Sequence, residues 1–198
     1  YGVWKVWRLG YWRWLIVSGI SLAFVLNSHY LGLLLLPPIT LFWFLSILKN
    51  SPVARRYTLT STLVFLGLMS PLFFFDLRHN FQNFSAIKLF FADRQTTVNL
   101  KAYKALPNLW PIWQDINTQV LSSNHKLLGF WVSVSLTLAS LFLLFTKSKN
   151  RPDLVFVSTW LLLGVVGLGL YKQHVYTHYY GFLFPATFLM LGFVLEKF

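Results

Sequence analysis

The feature that most constrains this chain is a series of long stretches free of Lys, Arg, Asp and Glu, such as Thr58 to Phe75 and Leu127 to Thr146. At about 1.5 Å of rise per residue, roughly 20 apolar helical residues cross a hydrocarbon layer. Only 11% of the 198 residues are charged while 56% are apolar, against roughly 25% charged in an average soluble domain. A water-soluble globule would lack the polar atoms to cover itself. The expected fold class is therefore all-α, a polytopic transmembrane helical bundle.

About six spans are expected, near 14–26, 31–48, 58–75, 127–146, 154–171 and 179–195. They form a single transmembrane domain with one large extracytoplasmic loop, 76–126. Asn27 to Tyr30 interrupts an otherwise continuous apolar run, so it predicts a tight polar turn between the first two spans. Pro37 and Pro38 fall inside the second expected span and predict a kink there, since neither has an N–H to donate. The loop carries Phe90, Phe91, Tyr103, Trp110 and Trp113 among polar residues. That is too aromatic for a disordered linker and predicts short amphipathic helices on the outer membrane surface.

Orientation follows from the short loops, because Lys and Arg tend to remain cytoplasmic. Lys5, Arg8 and Arg13 precede the first span; Lys49, Arg55 and Arg56 follow the second; Lys147, Lys149 and Arg151 follow the fourth. With six spans all three clusters fall on one side, which puts both ends of the chain inside. The net charge of +12 is then explained by topology and anchoring, with no nucleic-acid partner implied. Trp4, Trp7, Tyr11 and Trp14, mixed with Lys5, Arg8 and Arg13, read as an aromatic and cationic anchor at headgroup depth, with membrane lipid as partner. The chain contains no Cys, which excludes disulfides, thiolate metal sites and Cys nucleophiles. It opens on Tyr1 and closes on an apolar run, and reads as a piece of a longer protein.

All five His residues (His29, His79, His125, His174, His178) fall in segments read as external, as do Asp76, Asp93 and Asp115. The sharpest cluster is Pro71-Leu-Phe-Phe-Phe-Asp-Leu-Arg-His-Asn-Phe, which places Asp76, Arg78 and His79 where the third span ends. A guanidinium donates two parallel hydrogen bonds to a phosphate or carboxylate, and His79 can add a third donor. The bland alternative is a snorkelling Arg78 paired with Asp76. The second cluster is Tyr171-Lys-Gln-His-Val-Tyr-Thr-His-Tyr-Tyr-Gly. His174 and His178, four apart, would share a helix face as a metal pair, but no acidic ligand is near them in sequence. Lys172, His174, His178 and Tyr179 can instead donate to an anionic or hydroxyl-rich substrate. No Gly-rich phosphate loop, nucleophile elbow, zinc-protease motif or paired acidic motif is present.

These two strings, with the His29-Tyr30 turn and the aromatic loop between, resemble bacterial membrane glycosyltransferases of the GT-C superfamily. The similarity is to the family 39, protein-mannosyltransferase-like group, which includes the aminoarabinose transferases and RgtA/B/C/D-like domains. It covers nearly all of this chain but only the middle and later spans of such an enzyme. The resemblance implies transfer of a sugar from a polyprenyl-phosphate-linked donor to an acceptor at the outer face of the bacterial cytoplasmic membrane. It also implies that the catalytic Asp belongs to a loop preceding Tyr1. Arg78 and His79, with Asp76 and His29, and Lys172, His174, His178 and Tyr179 would then bind the substrate. The cofactor is unknown and a divalent metal stays open. The competing reading is a non-enzymatic transporter or flippase segment. Such proteins place polar groups near the bilayer midplane, where these spans hold almost none.

Overall fold

The structure, a computed structural model, describes residues 1–49, 51–92, 97–99, 101–146 and 150–197. It is helical throughout, and among the described residues the one β feature is an isolated bridge between Val98 and Tyr171. The helices are α1 (Gly2–Leu9), α2 (Trp14–Ser28), α3 (Leu36–Ile47), α4 (Ala54–Arg78), α5 (Gln82–Ala92), α6 (Leu106–Leu121), α7 (Lys126–Phe145), α8 (Arg151–Gly169) and α9 (Phe184–Lys197). Four helical stretches are long and apolar enough to cross a membrane: Tyr30–Ile47, Ala54–Arg78, Lys126–Phe145 and Arg151–Gly169. The other two expected spans are shorter, 15 residues in α2 and 14 in α9. Extended backbone at His29 stops α2. A 3-10 turn over Thr177–Tyr180 delays the start of α9. The chain divides into two compact units, Tyr1–Ala92 and Asp93–Phe198.

In the first unit, α1 buries Val3 and Val6 and packs on α2 and α3. Gly10 ends it with φ 71°, a left-handed cap that a side chain would strain. The main seam lies between α2 and α4. Gly19 lets the helices approach, since a Cβ there would stand 2.6 Å from Ser61 Oγ. The Ser61 hydroxyl uses that proximity to donate to the Leu15 carbonyl at 2.7 Å.

Pro37 and Pro38 fall inside the Tyr30–Ile47 stretch, where 3-10 geometry passes into α-helix. They occupy the first turn of α3, directly after a 3-10 turn over Tyr30–Leu35. In a first turn a missing N–H costs little, and the fixed φ suits helix entry.

Pro71 does lie inside a helix, α4, which continues past it to Arg78. The carbonyl it leaves without an amide is that of Gly67, four residues back. The Ser70 hydroxyl donates to that oxygen at 2.6 Å. Most of α4 is bare: it buries only Ala54, Ser61 and Asp76. Leu63 and Phe74 are each 60% exposed, an arrangement that lipid accommodates and water penalises.

In the second unit, α6 and α7 form a hairpin whose turn includes Ser123 (φ 46°) and Asn124 (φ 64°). Thr118 packs onto Gly129, where a Cβ would lie 2.8 Å from the Thr118 Cα. Trp113 Nε1 donates to Thr137 Oγ1 at 3.0 Å. Thus α6 does not lie free as a surface helix: it buries Ile112, Ile116, Asn117 and Thr118 and packs on α7 and α8. Gly164 admits Leu183, and Gly169 admits Ala105 with 3.2 Å to a would-be Cβ. Small residues let helices and turns approach closely at these seams.

Candidate functional site

In the first unit, the end of α4 and the start of α5 form a polar corner. Asn80 and Phe81 both adopt left-handed backbone (φ 53° and 55°), which reverses the chain within a few residues. The reversal brings the first amides of α5 back to Asp76. Asp76 is buried, and its Oδ1 and Oδ2 accept from the Asn83 and Phe84 amides, each at 2.9 Å. It therefore caps the following helix, which differs from the Asp76–Arg78 pair weighed above. Arg78, the last residue of α4, is exposed, and its side chain makes no hydrogen bond or ion pair among the described residues.

His79 folds back on its own helix. Its ring stacks on Phe75 at 4.0 Å, and Nδ1 lies 2.8 Å from the Phe75 carbonyl oxygen. A carbonyl only accepts, so Nδ1 carries the hydrogen and Nε2 is the nitrogen left to face a ligand. It accepts when the ring is neutral and donates when the ring is protonated. The expected turn joins this corner: Tyr30 Oη donates to Asn83 Oδ1 at 2.6 Å. His29 Nδ1 accepts from the Leu31 amide at 3.1 Å. His29, Asp76, Arg78 and His79 are thus gathered at one end of the first unit.

The second cluster lies in the other unit. Its base is a short backbone pairing, with the Lys172 amide donating to the Thr97 carbonyl at 2.9 Å and the Asn99 amide to the Leu170 carbonyl at 2.8 Å. The Asn108 side chain ties α6 to the end of α8 through the Gly169 carbonyl at 2.8 Å. His174 and His178 do not share an α-helical face. Residues 172–176 are irregular, and a 3-10 turn covers Thr177–Tyr180. The two imidazoles instead flank Tyr176, with centroid distances of 4.8 Å to His174 and 5.7 Å to His178. His178 also meets Tyr179 at 4.5 Å. Lys172, His174 and His178 are exposed around these rings, a surface able to stack on a sugar and donate to its hydroxyls or to a phosphate. Burial, and then nearby Tyr179 and Tyr176, hold the Tyr171 phenol above its usual pKa.

Behind this surface lies a pair that sequence reading missed. Tyr180 is buried and hydrogen-bonds the Asp115 side chain. The carboxylate also accepts from Gln119 Nε2 at 3.0 Å. Burial first, then the bond to Asp115 and its negative charge, push the Tyr180 phenol far up. The sequence signal was a lone acid in the aromatic stretch before α7; nothing in the chain identified Tyr180 as its partner.

Among the described residues no group of three or more His, Asp or Glu is arranged to hold a metal ion. Asp93, Lys147 and Lys149, singled out above, lie outside the described residues. Two cavities are lined by residues of neither cluster, one of about 200 Å³ at the start of α8 and one of about 540 Å³ beside the start of α4. At the N-terminal anchor Lys5 Nζ sits 5.2 Å from the Tyr1 ring and 5.4 Å from the Trp4 ring. In comparisons with known proteins, the chain matches no family model, no curated protein and no solved structure.

Proposed function

We propose that the chain is part of an integral-membrane glycosyltransferase of the GT-C type. It would use a polyprenyl-phosphate-linked sugar donor and an acceptor at the outer face of the bacterial cytoplasmic membrane, with both ends of this chain cytoplasmic. The observation that carries the reading is the exposed Arg78 guanidinium, standing at the end of a membrane-length helix beside His79 and the His29 turn. A carrier phosphate at headgroup depth needs a planar cationic fork there and apolar surface below it. In this reading Arg78 binds the phosphate and His79 adds Nε2. Asp76 positions the corner through its two amide bonds, and His29 shapes the turn that packs on it. Within the second unit, Lys172, His174, His178 and Tyr179 offer donors and rings suited to a sugar or another hydroxyl-rich or anionic ligand. The catalytic carboxylate is supplied by another part of the parent protein.

The test is Arg78→Ala in the full-length parent. Losing a charge-assisted bidentate contact is expected to raise the KM for the lipid-linked donor about tenfold or more. Unchanged donor affinity and turnover would remove this role.

A second reading, a transporter segment, is favoured by one observation. Ser140 Oγ, Ser158 Oγ and Trp160 Nε1 are buried within α7 and α8 with no hydrogen-bond partner among the described residues. None of them is charged, so they suit a neutral solute at most. Solute uptake into proteoliposomes, abolished by Trp160→Phe, would favour that reading over sugar transfer.

A further inference from the structure

At the opposite end of α4 from Arg78, the structure has a groove that the reading above does not use. Arg55, Thr58, Leu59 and Thr62 line one wall, together with Ala54, and Ile47 and Ser51 stand across from them. The spacing 55, 58, 59, 62 is a single stripe along one helix face. The groove holds about 540 Å³, within the roughly 300–1,000 Å³ range of small-molecule sites. Trp43 Nε1 donates to Thr58 Oγ1 at 3.1 Å and fixes one wall. Along the stripe, Arg55 to Thr62 covers roughly 10 Å of helix. A cation therefore stands at one end of the stripe, the mouth, and apolar and hydroxyl side chains run on from it along α4.

We infer that this groove binds an anionic phospholipid, with its phosphate on Arg55 and one acyl chain along Leu59, Thr62 and Ile47. Charge complementarity selects the occupant. Arg55 is the charged residue among those lining the groove, and no acidic residue precedes Asp76 in the chain. Lipid is favoured because α4 enters its bare, apolar stretch just beyond Arg55, so the mouth stands where headgroups stand. The site is about 35 Å of helix away from Arg78, and the inference does not depend on glycosyl transfer.

The experiment uses the full-length parent protein, delipidated in detergent and offered phosphatidylglycerol or phosphatidylcholine, with bound lipid counted by native mass spectrometry. Arg55→Ala is expected to lower phosphatidylglycerol retention about fivefold, the change typical of losing one cation near an anionic lipid surface, and to leave phosphatidylcholine unchanged. Thr62→Trp, which fills the groove, is expected to lower retention of both lipids. Arg56, which does not line the groove, is the comparison: Arg56→Ala should leave retention near wild type. Equal losses from Arg55→Ala and Arg56→Ala would mean a diffuse charge effect and overturn the site. Unchanged phosphatidylglycerol retention in Arg55→Ala would overturn it too, as would a crosslink from the groove to another segment of the parent protein in place of lipid.

Discussion

Both carboxylate oxygens of Asp76 are taken up by backbone amides, and the consequence is a division of labour within Asp-Leu-Arg-His. Asp76→Ala removes a cap and is expected to cost about 1–2 kcal/mol of stability, whereas exposed Arg78→Ala should change stability by no more than about 0.5 kcal/mol. Thermal unfolding of the two variants in the same detergent separates them. The importance of Asp76 was legible in the sequence; its partners were not. They lie seven and eight residues ahead because Phe81 adopts a positive φ, and a bulky aromatic gives no sequence signal for that conformation. Tyr180 yields a pH prediction. Its folded pKa is raised, so the folded state keeps the proton at a pH where the unfolded state, titrating near about 10, releases it. Stability from this group is complete below that pH and declines as pH rises toward the folded value. Thermal scans from neutral to strongly alkaline pH should show that decline in wild type and a flatter profile in Tyr180→Phe. Identical profiles would show that the Tyr180–Asp115 contact does not govern alkaline stability.

The helices themselves were read closely from charge-free runs, because exclusion of charge from hydrocarbon leaves a strong signal in sequence. The expected span near 127–146 corresponds to Lys126–Phe145 and that near 154–171 to Arg151–Gly169. Packing was less legible. The aromatic residues of α6 suggested a helix on the membrane surface, yet Thr118 and Trp113 fit onto α7, a match visible only when both helices are in place. The same limit applied to His174 and His178: their spacing fits a helix, but the backbone there is tied to Thr97 instead. Gly129→Val tests the α6–α7 seam, since the new Cβ meets Thr118 backbone and overpacking of this kind costs about 1–3 kcal/mol. Gly192→Ala, where nothing lies within 4 Å, should be tolerated in the same unfolding assay; equal destabilisation by both would refute the seam.

For the whole molecule, orientation is measurable with single-Cys variants placed in this chain, which itself contains no Cys. If both ends are inside, as proposed, Ser28→Cys and Gln173→Cys should react with an impermeant maleimide on intact cells, and Ser51→Cys and Asn150→Cys only after permeabilisation. The reverse pattern would invert the proposed orientation. Whole-chain charge was informative only once placed along the chain, because the +12 total fits a nucleic-acid binder as well as a membrane anchor. The repair of the Pro71 gap by Ser70 has a consequence at this scale. It keeps α4 a single rod from Arg56 to Asp76, about 30 Å at helical rise, so the polar groups at its two ends are held at one fixed spacing. The rod works as a gauge: a bilayer of matching hydrocarbon thickness seats both ends at once, and a thicker or thinner one must deform to meet them.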